Sequence, residues 1–519
     1  MEANSNTPTT PLSVLRDNRL KKIEEMRLKG LNPFPSRAAR THYAGSIHSD
    51  FEKLEGQPVT VSGRLTSWRK QGGMAFGHVQ DQTGSVQFVF RRDDVAPTDP
   101  PNGTVGYADL NLLDVGDIVE ADGIVGKTQR GETSVMVRKF RILTKSMRPL
   151  PDKWSGLQDR ETILRKRYLD MISSPENRAR YEAISRMLFA TRQFLYERGF
   201  LEFHTPVIQP QYGGGTAKPF TTHVNALSAT MYLSISHELY LKRLIAAGFD
   251  KVFTIGRYFR NEGIDKSHHP EFSMIETMTA YENYEYNMAL VEDLFRYIAV
   301  QAFGRTRFQV RGHEVDFAEP WRRVAMADLV KEDLGLDFRA CESVEQANQW
   351  IRELGLHEEQ ASVGEALAYV FEEKSSPKLI QPTLVYGHPV EISPLAKPMA
   401  EDPRYAERFE IMIAGMECGD NWSEQNDPVM LLSRWKAAYE ATGHKEGEYQ
   451  PLDYDFIECL EHGLPPTTGI GPGIERMAMI FTGQEDIYDV IFFPMMKPVV
   501  SPVNRAIYGI AEEPAESGD

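Results

Sequence analysis

Residues 257–284, RYFRNEGIDKSHHPEFSMIETMTAYENY, constrain this chain more than any other segment: they read as a strand, a polar loop and a second strand. Side chains alternate along a strand with a period of two, so Arg260 and Glu262 are expected on one strand face. A loop rich in Gly, Asp, Lys, Ser and His follows, and then Pro270-Glu271-Phe272. An arginine at a strand end suits a phosphate, because its planar fork bonds two oxygens at once. A glutamate beside it can accept from an exocyclic amine, and a phenylalanine can stack on a base.

Upstream, the runs VTVSGRL, GMAFGHVQD, GSVQFVFR, DIVEADGIVG and TSVMVRKFRIL within residues 57–145 are separated by Gly, Asp and Thr-Gly turns. Five short strands at this spacing predict a small closed barrel of the oligonucleotide-binding type. Before them, SVLRDNRLKKIEEMRLKG (residues 13–30) predicts a charged amphipathic helix stopped by Gly30. Such a helix is either a solvated surface or, at the start of an RNA-binding module, a contact to an RNA backbone. Charge bears on this choice. The net charge is −16, yet residues 1–150 carry +4 and the remainder −20. A basic N-terminal part on an acidic body permits RNA contact at one end.

Length and composition bound the rest. At 519 residues, 41% hydrophobic and 25% charged, the chain is an ordinary globular protein of about three domains, or one large and one small. No apolar run approaches the roughly 18 residues of a membrane span. The N-terminus, MEANSNTPTTPL, is polar and lacks the apolar core of a signal peptide. Cys341, Cys418 and Cys459 are scattered, which argues against a disulfide framework or zinc site and for a reducing cytoplasm.

Further along, apolar residues Ile184, Met187, Leu188, Phe194 and Leu195 recur at helical spacing and Gly199 closes that helix. A strand leading to Thr205-Pro206 is expected after it. In YGGGTAKPFTTHV (residues 212–224) three glycines allow close backbone approach to a ligand, without the spacing of a phosphate loop. MYLSISHELYLKRL reads as a strand running into an amphipathic helix. Gly469-Ile-Gly-Pro-Gly-Ile-Glu-Arg476 is a glycine-rich turn before an apolar helix; its GxGxG spacing is not that of a dinucleotide fold.

The 257–284 segment closely resembles the second signature motif of class II aminoacyl-tRNA synthetases, in the form of the lysine-specific branch. The helix–strand–Pro unit around 176–206 resembles the first motif, which builds a homodimer interface, and residues 469–476 resemble the third. The likeness spans roughly residues 15–505, with all three motifs in order. It implies an α+β chain: a five-stranded oligonucleotide-binding barrel, then a catalytic domain made of an antiparallel sheet flanked by helices. The boundaries expected are a polar tail and helix at 1–42, the anticodon-binding barrel at 43–147, a linker at 148–172, the catalytic domain at 173–505 and an acidic tail at 506–519.

The resemblance also implies roles. Arg260 holds the α-phosphate of ATP, and Arg476 lies over the adenine and reaches the γ-phosphate. Glu262, His268 and Phe272 complete the ATP site, and Glu410 and Glu417 match the acidic pair that holds Mg2+, with Glu410 also at the nucleotide. Gly214 offers a carbonyl to the substrate α-amino group and Glu238 receives the α-ammonium. In the barrel, Phe76 matches a residue that stacks on an anticodon base and Gln87 one that reads the central uridine, with Arg69 and Glu132 at further tRNA-anticodon positions. On pattern alone, Phe76 could equally be a core residue of its strand.

Strand alternation puts Met274, Glu276, Met278 and Ala280 on one face, and Cys418, Asp420, Trp422 and Glu424 on another. Glu276 and Glu424 would then line one pocket. A buried carboxylate pair is costly unless a cation neutralises it, and an ε-ammonium does so. That is the physical case for lysine or a similar diamino acid. Both glutamates match the family's lysine-recognising acids. Six positions depart from the family: Met278 for a tyrosine, Asp420 for an asparagine that contacts the substrate carboxylate, Trp422 for a phenylalanine beside the aliphatic chain, His269 for an asparagine, Ser234 for an arginine and His237 for a proline. An ionised Asp420 would repel that carboxylate. The expected activity is ATP- and Mg2+-dependent charging of tRNA in the cytoplasm by a homodimer that touches no membrane. The alternatives are a relative activating another diamino acid, an enzyme lysylating protein, and a non-catalytic RNA-binding protein.

Overall fold

The computed structural model describes residues 11–151, 157–441 and 451–511. Most of the expected polar tail, part of the linker and the end of the acidic tail lie outside the described residues. The chain divides into two compact units, residues 1–159 with 497–519, and residues 160–496.

In the first unit, β1 (Pro58–Gln71), β2 (Met74–Gln80), β3 (Ser85–Arg91), β4 (Ile118–Lys127) and β5 (Thr133–Thr144) close into a barrel, in the order β1-β2-β3-β5-β4. The five runs read from sequence are these five strands. Alternation separates the faces: on β2, Ala75, Gly77 and Val79 are buried, while Phe76 and His78 are half-buried on the outside. Val61, Leu65, Phe88, Phe90 and Phe140 fill the interior, with Phe90 edge-on to Phe140 at 5.1 Å. Each such ring contributes about 1.5–3 kcal/mol by leaving water. The N-terminal helix, Leu12–Leu28, buries Ile23 and Met26. Its Arg19 donates to the carbonyls of Val115, Ser146 and Arg148, each at 3.0 Å, and Lys22 pairs with Asp114 at 2.8 Å. Those two cations are therefore engaged in fastening the helix within its own unit.

The second unit is built on an eight-stranded sheet. Its strands are β6 (Leu201–Glu202), β10 (Lys251–Phe259), β11 (Glu271–Ala280), β14 (Arg322–Ala325), β15 (Thr383–Tyr386), β16 (Arg408–Ile413), β17 (Met416–Ser423) and β18 (Thr467–Pro472). Three further strands, β7 (Ile208–Gln209), β8 (Thr221–Val224) and β9 (Ala229–Leu233), form a small sheet, and β12 (Arg307–Val310) and β13 (His313–Asp316) form a hairpin. The large sheet runs β14-β15-β16-β17-β18-β11-β10-β6, antiparallel except at the β14–β15 and β10–β6 pairs.

Period-two alternation assigns its two faces. Phe253, Ile275, Phe409, Ile411 and Ile470 point into one core with the helices Pro175–Glu197, Tyr284–Phe303 and Ile474–Thr482. Ser174 caps the first of these by accepting from Asn177 N, with Pro175 at the opening position. Val252, Met278 and Ala280 point the other way, against the helix Glu238–Ala246 and Trp435. A separate helical cluster, formed by Met326–Leu334, Val344–Glu353 and Val363–Val370, packs around Phe338, Leu367 and Phe371.

One expectation is corrected here. Arg260 and Glu262 do not share a strand face, because β10 ends at Phe259. Arg260 N still reaches Pro270 O at 2.9 Å, but Asn261 N turns away to Lys218 O at 2.7 Å. The strand therefore ends three residues before Glu262, where its β-like sequence would carry it.

Candidate functional site

On the sheet face that carries Met278, a cavity of about 460 Å³ opens between β11, β16, β17, β18 and the glycine loop before β8. Every residue singled out in this part of the chain lines it: Gly214, Glu238, Arg260, Glu262, His268, Phe272, Glu276, Met278, Glu410, Glu417, Asp420, Trp422, Glu424 and Arg476. Ion pairing divides it into an arginine end, where Arg476 meets Glu417 and Arg260 feels Glu262 and Glu417, and a carboxylate end, where Glu238 and Glu424 share Lys242 and Glu276 lies near Glu238.

At the arginine end, the Arg260 guanidinium lies 5.2 Å from the Phe272 ring centre, and Phe272 stacks on Tyr258. Arg260 Nε is buried with no hydrogen-bond partner. Burial lowers its pKa despite the pull of Glu262, Glu276 and Glu417. A cation in that state gains most from an anion with two oxygens. Arg476, in the first turn of the helix Ile474–Thr482, donates to Glu417 at 2.5 Å and sits 3.3 Å from His268 Nε2. His269, by contrast, turns inward, accepting from Met495 N at 2.9 Å. The two histidines thus point apart, as their adjacency predicts.

Glu410 and Glu417 reach the same face through a β-bulge. Gly419 pairs with Ile411, but Glu417 pairs with Met412, which leaves Cys418 as an extra residue on β17. Cross-strand partners share a face, so Glu417 joins Glu410 and Asp420 although it lies three positions before Asp420. This corrects the expectation for Cys418, whose side chain lies in the hydrophobic core rather than beside Asp420. Burial pushes Glu410 up to about 7, with Glu417 adding to the push and Arg408 opposing it. Two facing hard-oxygen donors that repel one another fit a divalent cation shared with phosphate oxygens.

At the carboxylate end, Glu276 accepts from Ser236 Oγ at 2.8 Å and from His237 N at 2.9 Å. Burial and the nearby Glu238 raise it to about 7. Gly214 has φ +81°, and a Cβ there would stand 2.6 Å from Ser236 Oγ, so only glycine brings this backbone to the cavity. Sequence reasoning left Glu276 and Glu424 waiting for an external cation. A resident one is present: Lys242 pairs with Glu238 and lies 2.5 Å from Glu424. Burial works against the Lys242 ammonium, but the two glutamates outweigh it and hold its pKa above the ordinary value.

Asp420 is likewise not a bare charge. Arg408 grips it from Nε at 3.0 Å and from Nη2 at 2.7 Å, and Nη2 also reaches Glu410 at 3.0 Å. Burial disfavours the charged guanidinium, yet Asp420 and Glu410 hold it above its ordinary pKa. The repulsion expected between Asp420 and a substrate carboxylate is therefore offset by Arg408. Arg408 and Lys242 are the site residues sequence reasoning missed. Their signals were present: Arg408 lies two residues before Glu410 on one strand, and Lys242 one helical turn after Glu238.

The outer face of the barrel brings together the remaining candidates. Arg69 lies 4.8 Å over the Phe76 ring, on paired positions of β1 and β2. Phe76 is outside the barrel core, which removes the core-residue alternative. Next to it His78 pairs with Gln87 across β2 and β3. Gln87 donates to Glu132 at 2.8 Å and accepts from Ser134 at 3.1 Å, and His78 Nε2 lies 2.9 Å from Glu132. His78 joins this set without having been foreseen; its place two residues after Phe76 was the signal.

Comparison with known proteins agrees with this geometry. A family model described as tRNA synthetases class II (D, K and N) matches residues 159–497, and one described as an OB-fold nucleic acid binding domain matches residues 59–143. Among curated proteins, a lysine–tRNA ligase of Pelotomaculum thermopropionicum is 44% identical over 490 residues, covering 94% of this chain and 96% of that protein. Another, of Syntrophomonas wolfei, is 44% identical over 488 residues, with 94% and 98% covered. A third, of Staphylococcus saprophyticus, is 42% identical over 489 residues, with 92% and 97% covered. With the catalytic family matched over most of its length and such relatives spanning nearly all of it, the chain belongs to the class II tRNA synthetases of the D, K and N family.

Proposed function

We propose that this synthetase is a lysine–tRNA ligase, which activates lysine with Mg-ATP to lysyl-adenylate and transfers the lysyl group to the 3′ end of its tRNA. The observation that carries the proposal is a cavity that joins Arg260 and Arg476 to Glu238, Glu276 and Glu424. ATP lies at the arginine end. Arg260 and Arg476 hold the triphosphate, Phe272 stacks on the adenine, Glu262 accepts from its exocyclic amine and His268 stands beside the phosphates. Lysine lies at the other end, its α-ammonium on Glu238 and the Gly214 carbonyl, its distal ammonium on Glu424 and Glu276. Its carboxylate attacks the α-phosphorus and pyrophosphate leaves. The 3′-terminal adenosine hydroxyl then attacks the mixed anhydride, releasing AMP. No side chain acts as a nucleophile; the residues position the reactants and stabilise developing charge. Glu410 and Glu417 would hold Mg2+, which supplies further charge stabilisation on the phosphates.

The barrel reads the anticodon through Arg69, Phe76, Gln87 and Glu132. A base edge that reaches Gln87 replaces Glu132 as its partner. The enzyme acts as a homodimer. In support, Phe189 is 69% exposed on the helix Pro175–Glu197, with Leu201 on the edge strand β6 and Ile208 also exposed. A second copy is the natural cover for them. Among the described residues no helix is long and apolar enough to cross a membrane. The cysteines are free thiols, which suits the cytoplasm.

A second reading, activation of another diamino acid, rests now on Met278 and Trp422, since Arg408 answers the charge of Asp420. Pyrophosphate exchange across lysine, ornithine, β-lysine and arginine decides between them. Lysine is expected to support the fastest exchange. A clear preference for another amino acid overturns the substrate, and exchange with none overturns the enzyme.

A further inference from the structure

Two donors converge on one oxygen of Glu424. Lys242 Nζ lies 2.5 Å from Oε2, and Trp422 Nε1–H donates to the same atom at 2.7 Å. The residue is 1% exposed, and its other oxygen, Oε1, is buried with no hydrogen-bond partner. Only glycine fits at 469, where a Cβ would stand 3.0 Å from Oε1 and 2.6 Å from Met278 Cε, so the space beside Oε1 is narrow. Met278 offers only a methyl and a thioether to that space, so no side chain of the pocket wall supplies the missing donor. A buried carboxylate oxygen left unpaired is unfavourable, and the usual answer is a donor or a cation.

Charge points the same way. Lys242 is shared between Glu238 and Glu424, so one cation faces two carboxylates. One ligand ammonium on Oε1 offsets the charge that Glu238 and Glu424 retain beyond Lys242 and supplies the missing donor. Both tethers are themselves fixed. Lys242 is 2% exposed on the helix Glu238–Ala246, and Trp422 sits on β17 paired with Gly469 of β18. The carboxylate therefore cannot turn Oε1 away without breaking two bonds.

We propose that Lys242 and Trp422 are positioning residues for amino-acid selection. They occupy one oxygen of Glu424 and aim the other at the distal ammonium, so that a diamino acid is chosen over one of the same chain length without a second amine. The inference rests on reading the cavity as an amino-acid activation site, and it assigns Trp422 a polar role through its indole N–H, beyond that of an apolar wall.

The test is pyrophosphate exchange by the full-length enzyme with lysine and with 2-aminohexanoate. Trp422→Phe removes the N–H and keeps an aromatic ring. It is expected to raise the KM for lysine about tenfold or more, as for a lost bond to a charged group, while the KM for ATP and kcat hold. Lys242→Gln is expected to raise it further, because the two carboxylates then share a proton that the ligand ammonium must displace. Both narrow the preference for lysine over 2-aminohexanoate, and Lys242→Arg, which keeps the charge, retains more of that preference than Lys242→Gln. Losses that fall equally on lysine, ATP and kcat would indicate a merely structural role and overturn the inference. An unchanged lysine KM in folded Trp422→Phe overturns it as well, whether or not Lys242→Gln folds. No exchange by the unaltered enzyme with any diamino acid overturns the reading of the cavity, and the inference with it.

Discussion

On the barrel, Phe76 is half-buried beneath Arg69, and the Glu132 side chain is 45% exposed beside His78. In the cavity, Glu424 is 1% exposed and Asp420 is gripped twice by Arg408. Apart from the buried Gln87, the barrel face is wet: its ion pairs are screened by salt and worth little alone, so the proposed hold on RNA rests on stacking. The carboxylate end of the cavity is buried, with Glu238 4% and Glu276 6% exposed. There an unpaired charge is expensive, so each carboxylate has been given a counter-charge or backbone donors before any ligand arrives. The difference predicts graded losses on the barrel and severe, ligand-specific losses in the cavity.

The most severe test lies at the arginines. Arg260→Ala or Arg476→Ala is expected to lower pyrophosphate exchange by about 10³–10⁵-fold, as for other arginines that stabilise a transferring phosphate, with the far-UV circular dichroism unchanged. Near-normal exchange in either variant would break the assignment of that end of the cavity. Next comes Glu424→Gln, which keeps the shape and removes the charge. The loss for lysine is about 2–5 kcal/mol, as when one partner of a buried charge pair is removed, and the KM for ATP stays within a few fold. Equal losses for lysine and ATP would mean that the two ends are not separate.

On the barrel, Phe76→Ala should weaken tRNA binding by about 1–3 kcal/mol, the worth of one stacked base, and leave adenylate formation untouched. A melted barrel, or unchanged binding, would contradict the contrast drawn between the two faces. The smallest effect belongs to Asp420→Asn. Because Arg408 already balances Asp420, the lysine constant should barely move. The freed guanidinium should draw on Glu410 instead and raise the requirement for Mg2+. A marked gain in lysine use would show that Asp420 does face the substrate carboxylate as a charge.

Much of this molecule was legible before its structure. The barrel strands were visible as alternating runs between turns, and the residues of the cavity were visible as motifs whose types match phosphate, base and ammonium. What could not be read was pairing across elements. Nothing local reveals that Arg408 on β16 meets Asp420 on β17, or that Lys242 leans from its helix onto Glu424; both contacts arise only when the sheet is assembled. The strand end at Phe259 was misjudged because Arg260 and Glu262 continue a β-like alternation after Asn261 has found a partner outside the ladder. Cys418 was misjudged because period-two counting assumes an unbroken register.

That break in register has a consequence for how the site can change over generations. The bulge at Cys418 acts as a phase shifter: the stretches of β17 before and after it face the cavity on opposite parities of residue number. Substitutions along the strand can therefore be absorbed one at a time, but straightening the bulge with every residue kept would exchange inside for outside over the stretch that precedes it. Glu417 would be driven into the hydrophobic core and Cys418 into the cavity. Deletion of Cys418 removes only the extra residue, so Glu417 stays opposite Met412 and activity should survive it better than deletion of Glu417 itself.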